Sequence, residues 1–338
     1  MKRMFVFIFI LTALAVSTIP CTAADDVVKM EVLQVTDIDA FQMTYDAMIN
    51  ALAKQGYTVG ENLKVNRVML DYDIEKSGFF DKIGLLFKIK SEGSRIADAR
   101  PDIAVTIGTP ATKYARDKIT SAGVPLVFTA VAIPEAAGCK SLTEGGPGVT
   151  GATLYMNMNN AMKIIKAAFP DLKTIGMVCS DDENGIAHVE EATKNAPAYG
   201  MKVISKQVNK KDRITPHLEE LKAQGMEAFA VPLDTYFGIR DYEIVNDLDV
   251  FSRKNKMPVV SFAVLNTKGS VLSVGTEFNT VGVLAAENIL KILKDGKKPD
   301  ELPIRHQEDL NIIVDVERMQ SLGIQVPIGI LQIAKPVK

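Results

Sequence analysis

Beyond residue 24 the chain alternates short runs rich in Val, Ile and Leu with longer stretches whose apolar side chains recur every three or four positions. The short runs predict strands and the longer ones amphipathic helices. Strands are expected at 30–35, 63–68, 103–107 and 126–128, with helices at 40–55, 80–97 and 111–122 between them. The same succession then repeats, with strands at 174–179, 201–205, 228–231 and 259–261 and helices at 186–198, 215–224 and 236–255. Alternation of this kind predicts an α/β fold of parallel sheets with helices on both faces.

The two halves also echo each other in wording. Gln55-Gly56-Tyr57-Thr58-Val59 closes one first helix and Tyr199-Gly200-Met201-Lys202-Val203 the other. Val124-Pro125-Leu126-Val127-Phe128 has a counterpart in Met257-Pro258-Val259-Val260-Ser261, and Ile107-Gly108-Thr109-Pro110 stands where Val231-Pro232-Leu233-Asp234 stands. Two similar doubly wound lobes are therefore expected, separated at the turn-rich Gly145-Gly146-Pro147-Gly148. A strand at 149–154 and a helix at 157–169 follow that break. After a second crossing near 270–275, a helix at 279–294, a strand at 310–314 and a short helix at 317–322 have no partner in the echo. They are read as returning the chain to lobe one and then to lobe two. The resulting division is lobe one at 25–148 and 274–308, lobe two at 149–273 and 309–338, with a multi-strand hinge between them.

Residues 1–24 are set apart. Lys2 and Arg3 precede an apolar run at 5–19, and small residues follow at Cys21-Thr22-Ala23-Ala24. The run falls short of the ~20 residues that span a bilayer, so it reads as a secretory signal peptide. Acylation of Cys21 is not expected, because Pro20 precedes it where that chemistry wants a small residue. Removal of Lys2 and Arg3 takes the formal charge from −2 to −4. Nothing in that balance attracts nucleic acid. Cys139 and Cys179 are far apart and lack CxxC spacing; two separate thiols are expected, although a bridge is conceivable in an oxidising compartment.

Catalytic chemistry is not signalled. The three histidines, His188, His217 and His306, are too widely spaced for a helical metal pair, and HExxH, GxSxG, Walker and GxGxxG patterns are all missing. No cofactor or metal is implied. In parallel α/β sheets ligands bind beyond the carboxyl ends of the strands, which directs attention to the loops that follow each strand. From these loops the candidate ligand contacts are Asp37, Gly108, Thr109, Pro110, Thr129 and Ala130 in the first lobe, and Ser180, Asp181, Asp234, Tyr236 and Phe262 in the second. For Asp39, Thr109 and Asp182 a helix N-cap accounts for the residue as well as ligand contact does. Asp234 is read as a ligand contact, since a carboxylate directly after an apolar strand is costly to bury without a cationic partner. Carboxylates together with helix N-terminal amides suit a zwitterion.

Several segments, in order, resemble the ABC-transporter substrate-binding proteins of the tryptophan/tyrosine-binding type. They include Gly56-Tyr57-Thr58-Val59-Gly60-Glu61-Asn62-Leu63, Pro101-Asp102-Ile103-Ala104-Val105, Gly108-Thr109-Pro110-Ala111, Gly148-Val149-Thr150-Gly151, Lys173-Thr174-Ile175-Gly176 and Leu322-Gly323-Ile324-Gln325-Val326-Pro327. The resemblance covers nearly the whole chain beyond residue 24. It implies the type I periplasmic-binding-protein fold and a periplasmic or extracytoplasmic receptor, expected to be a monomer. Such a receptor closes two lobes on a small-molecule ligand and delivers it to an ABC permease. Thr109, Pro110, Thr129, Ala130 and Asp234 match the family's cleft positions, Asp234 resembling its amine-binding acid. The chain departs from the family at Ile133-Pro134, where Asp commonly precedes Pro, in the loop Ser180-Asp181-Asp182-Glu183-Asn184-Gly185, and over 76–90. Reception of an amine-bearing solute, of which an aromatic amino acid is the example the resemblance offers, is the leading reading. A ligand-sensing subunit docking on a membrane sensor or chemoreceptor is the second, and an exported hydrolase, for which no nucleophile–base pair can be named, is a distant third.

Overall fold

A computed structural model of the protein describes residues 27–70, 79–264 and 268–337. The expected signal peptide at 1–24 and part of the atypical 76–90 stretch lie outside the described residues. Within them the chain forms two sheets. The first has six strands in the order β11-β5-β4-β3-β1-β2, all parallel. These strands are β1 (Val28–Gln34), β2 (Leu63–Met69), β3 (Ile103–Ile107), β4 (Leu126–Val131), β5 (Val149–Thr153) and β11 (Arg305–His306). The second has seven, in the order β13-β12-β10-β9-β8-β6-β7, parallel except where β10 meets β12. They are β6 (Thr174–Cys179), β7 (Lys202–Gln207), β8 (Ala228–Val231), β9 (Val259–Ser261), β10 (Leu272–Gly275), β12 (Asn311–Val314) and β13 (Lys335–Pro336).

The central strands β3, β4, β6 and β8 are buried along their whole length. Such strands need helices on both faces, and the apolar runs that predicted them are continuous for that reason. The first sheet is covered by α1 (Asp39–Lys54), α2 (Phe79–Ala99), α3 (Thr109–Ser121) and α8 (Phe278–Asp295). Against the second lie α4 (Met158–Ala168), α5 (Glu183–Asn195), α6 (Thr215–Ala223) and α7 (Glu243–Asn255), with the short α9 (Val316–Ser321) and α10 (Ile328–Ile333) near the end of the chain. Helix α1 buries Ala40, Phe41, Thr44, Met48 and Leu52, a stripe at helical spacing. Along that stripe it lies so close to α8 that a Cβ on Gly282 would run into the Thr44 carbonyl oxygen. Asn288 of α8 donates to Thr150 Oγ1 at 3.0 Å and to the Gly151 carbonyl at 3.2 Å, tying the returning helix to β5. A buried ion pair at 2.8 Å between Arg318 and Asp249 ties α9 to α7.

The lobe boundaries differ from those read along the sequence. The turn ending at Gly148, whose φ is +68°, feeds β5 into the first sheet beside β4, so the crossing follows Thr153 rather than preceding residue 149. Strand β10 pairs with β9, which keeps 274 and 275 in the second lobe. The helix expected at 236–255 is broken: Asp234 caps a 3-10 turn at Thr235–Phe237, a second turn spans Arg240–Tyr242, and α7 starts only at Glu243. Strands β11 and β13 and helix α10, two to six residues each, were not anticipated, being too short to carry a period. Cys139 packs in the first lobe and Cys179 in the second, both as buried thiols.

Candidate ligand-binding cleft

A cavity of about 500 Å³ lies between the lobes. Its first-lobe wall comes from the start of α1, with Ile38, Asp39, Phe41 and Met43, and from Ala130, Leu154 and Phe278. The second-lobe wall comes from the residues after β8, from the turn before α7 and from the first turn of α7, including Leu233, Asp234, Phe237, Asp241, Tyr242 and Asn246. Both walls sit at the carboxyl ends of parallel strands, where the topology leaves a crevice. The surface is mostly apolar with a few polar groups, as in sites for small organic ligands.

Of the eleven residues singled out by sequence, Ala130 and Asp234 form part of this wall. Ala130 adopts φ +56° where the pairing of β4 with β5 shifts register, a strained conformation for a residue with a Cβ. Thr109 reaches across the cleft instead, its hydroxyl 3.0 Å from Asn184 Oδ1. Asp181 forms an ion pair with Lys82 of the other lobe. Gly108, at φ +89°, caps the start of α3 with the ring of Phe41 close against it, and it does not line the cavity. Pro110 and Asp37 are exposed and off the wall, and Thr129 is buried behind it. Tyr236 is fully buried and donates its hydroxyl to the Asp212 carbonyl at 2.8 Å. Phe262 packs edge-on against His188 inside the second lobe. Leu265 and Asn266, also in a loop read as ligand-facing, lie outside the described residues.

The Asp234 carboxylate is already engaged within the second lobe. Oδ2 accepts from the Ser180 amide at 2.6 Å, and Oδ1 accepts from the Ser180 hydroxyl and the Tyr236 amide, each at 2.8 Å. Gly185 lies against the same carboxylate, with no room for a Cβ. Ser180 therefore contributes through Asp234 rather than through the wall. Burial, followed by the neighbouring Asp182 carboxylate, pushes Asp234 up to about 7. An unfolded aspartate titrates near about 3.9. The folded protein thus holds this proton more tightly, and the contribution to stability is present below about pH 4 and lost as pH rises towards 7. The thermal midpoint of the wild type should accordingly fall relative to that of Asp234→Asn between pH 5 and pH 8; parallel profiles would contradict this. Nearby, His188 is pushed down to about 4 by burial and is neutral at physiological pH, its Nδ1 accepting from the Leu233 amide at 3.4 Å.

Sequence reasoning missed the rim. Tyr242 donates its hydroxyl to Asp39 Oδ2 at 2.5 Å, from lobe two to lobe one. It ends three successive non-glycine residues with positive φ, Arg240 at 52°, Asp241 at 49° and Tyr242 at 60°. Arg240 anchors the turn by donating to the Lys211 and Asp212 carbonyls. Lys113 pairs with Glu183 across the opposite rim. Among the described residues no group of three His, Cys, Asp or Glu side chains could hold a metal ion, and no helix is long and apolar enough to cross a membrane.

Comparison with known proteins places this cleft in context. The sequence model of the family described as ABC transporter substrate binding protein matches residues 29–338. The "Tyrosine-binding protein" of Clostridioides difficile (strain R20291) is 23% identical over 283 residues, covering 82% of this chain and 75% of that relative. Among solved structures, the ABC domain in complex with L-Trp from Streptococcus pneumonia is similar with a TM-score of 0.75 and 23% identity, over 91% of this chain and 100% of that one. A conserved domain protein from Vibrio cholerae has a TM-score of 0.76 and 22% identity, over 93% and 100%. The matched family is extracytoplasmic and consists of solute-binding proteins, which bind small-molecule ligands and work with ABC permeases. With two parallel-sheet lobes and a family match spanning nearly all of the described chain, this protein belongs to the ABC transporter substrate-binding protein family.

Proposed function

We propose that the protein is the receptor of an ABC importer and that it closes its lobes on an amino acid with a large apolar, most simply aromatic, side chain. The observation that carries this reading is the composition of the cavity wall. Phe41, Phe237, Phe278 and Leu233 provide an apolar chamber, while Asp39, Asp234 and Asp241 stand against a single cation, Lys268. That excess of carboxylates favours a ligand that brings its own positive charge, while Lys268, donating to Asn246 Oδ1 at 3.0 Å, remains a cation on the wall. The relatives whose names mention tyrosine or L-Trp point the same way. Residues 1–24 then serve as the export signal. Hydrogen bonds and ion pairs between the lobes, at Asn184, Tyr242 and Lys113, stabilise the closed state, and a bridging ligand shifts the equilibrium further. The importer role is tested by reconstituting the ABC permease that co-purifies with the protein from membranes into liposomes and measuring ATP hydrolysis. Stimulation by receptor plus amino acid, above receptor alone, is expected; equal rates with and without amino acid would contradict it.

A further inference from the structure

Asn184 stands where the two lobes and the cavity meet. It is the second residue of α5, and its backbone amide donates to Asp182 Oδ1 at 3.0 Å, which fixes the start of the helix. Its side chain forms part of the cavity wall. From lobe one, the Thr109 hydroxyl donates to Asn184 Oδ1 at 3.0 Å and the Ala132 amide donates to the same oxygen at 3.2 Å. The Ala132 contact decides how the carboxamide is turned. A backbone N–H only donates, so the atom facing it must be the carboxamide oxygen, and the amide nitrogen must lie on the other side. That nitrogen carries two N–H groups, and no hydrogen bond from it to the described residues exists. It therefore presents unused donors on the wall of a cavity whose charged groups are mostly carboxylates.

We propose that Asn184 couples closure to recognition: lobe one grips its oxygen, and the orientation so imposed presents its Nδ2–H groups to the carboxylate of the ligand. The inference rests on the amino-acid reading given above and deepens it. Among the described residues the wall holds carboxylates for the ammonium end of a zwitterion and one cation, the exposed Lys268, which already donates to Asn246 Oδ1, so a further donor for the carboxylate end has a role. The amide nitrogen at the positive end of α5 meets that need without a buried cation. An open receptor lacks the grip from Thr109 and Ala132, so the donors are set only as the lobes come together.

The test uses two pairs of probes, L-tyrosine with tyramine and L-tryptophan with tryptamine, each sharing ring and amine and differing in the carboxylate. Calorimetry is run on wild type and on Asn184→Asp, which keeps an oxygen for Thr109 and Ala132 but removes the N–H donors. The wild type should prefer the amino acid, and Asn184→Asp should lose about 10- to 100-fold in affinity for it, as expected for a charge-assisted hydrogen bond, with the amine affected less. In parallel, hydrogen exchange of the ligand-free protein reads the grip itself. Protection of the Ala132 amide, which scales with the fraction of closed protein in the ligand-free equilibrium, should be higher in wild type and Asn184→Asp than in Asn184→Ala. Undiminished amino-acid affinity in Asn184→Asp, or equal wild-type affinity for amine and amino acid, overturns the recognition half, and unchanged Ala132 exchange in Asn184→Ala overturns the coupling. If the wild type binds no amino acid, the amino-acid reading falls and takes the carboxylate assignment with it, while the exchange experiment still decides the grip.

Discussion

Asp234→Ala should be among the most damaging single substitutions in the cleft, lowering stability by roughly 2–5 kcal/mol and abolishing measurable ligand binding. The reason is architectural. The substitution removes the acceptor for the buried Ser180 and Tyr236 amides, and each buried donor left without a partner costs about 1–3 kcal/mol. The loops after β6 and β8 then lose their common anchor, and with it the placement of Leu233, Thr235 and Phe237 on the cavity wall. Asp234→Asn retains one oxygen but turns an NH2 group towards a backbone donor, so it should fall between Ala and wild type. Denaturant unfolding, read with a binding assay, separates the possibilities. Wild-type stability in Asp234→Ala would show that the three hydrogen bonds contribute nothing, whereas lost binding at full stability would make Asp234 purely a ligand contact.

Gly282→Val should destabilise the first lobe by about 3 kcal/mol. Helix propensity favours every residue except proline over glycine by up to about 1 kcal/mol, so the sign depends on space. Here the added Cβ meets the Thr44 carbonyl oxygen and lies close to the Ala47 methyl. The obstacle is backbone of a neighbouring helix, which cannot swing aside as a flexible side chain would, and overpacking of this kind costs about 1–3 kcal/mol or more. Moving α8 away from α1 also shifts Ile38, Phe41 and Met43, so ligand affinity should fall together with the thermal midpoint. A neutral or stabilising outcome would mean that the two helices are packed less closely than described.

The fold was legible because its signals are repeated and continuous. Strands such as Ile103–Ile107 and Thr174–Cys179 are buried on both faces, so they read as mostly apolar runs without polar alternation and their ends can be read directly. The two-lobe division followed from the echo between the halves, but its boundary was misplaced because a glycine turn before β5 looks the same whether it leads to the same sheet or to another lobe. The site was legible only in outline. The loops after the strands were the right places, yet which residue of a loop faces the ligand depends on local geometry. Asp39, not Asp37, reaches the wall, and Phe237, not Tyr236, lines it. Asp234 was recognised as unusual for a carboxylate after an apolar strand, but its partners Ser180 and Tyr236 come from backbone amides that no sequence pattern displays. Tyr242 reaches Asp39 through three residues in the left-handed region, and no glycine marks that turn. Contacts between lobes, such as Asn184 with Thr109, join positions 75 residues apart and leave no local trace.

Whether the lobes close on an amino acid is decided by titration calorimetry of the protein with each of the twenty amino acids. Saturable one-to-one binding of L-tyrosine, L-tryptophan or another amino acid with a large apolar side chain is predicted, with a thermal stabilisation of about 2.7 kcal/mol at a hundred times the dissociation constant. Absence of binding across the set, or tight binding confined to small or acidic amino acids, would contradict it.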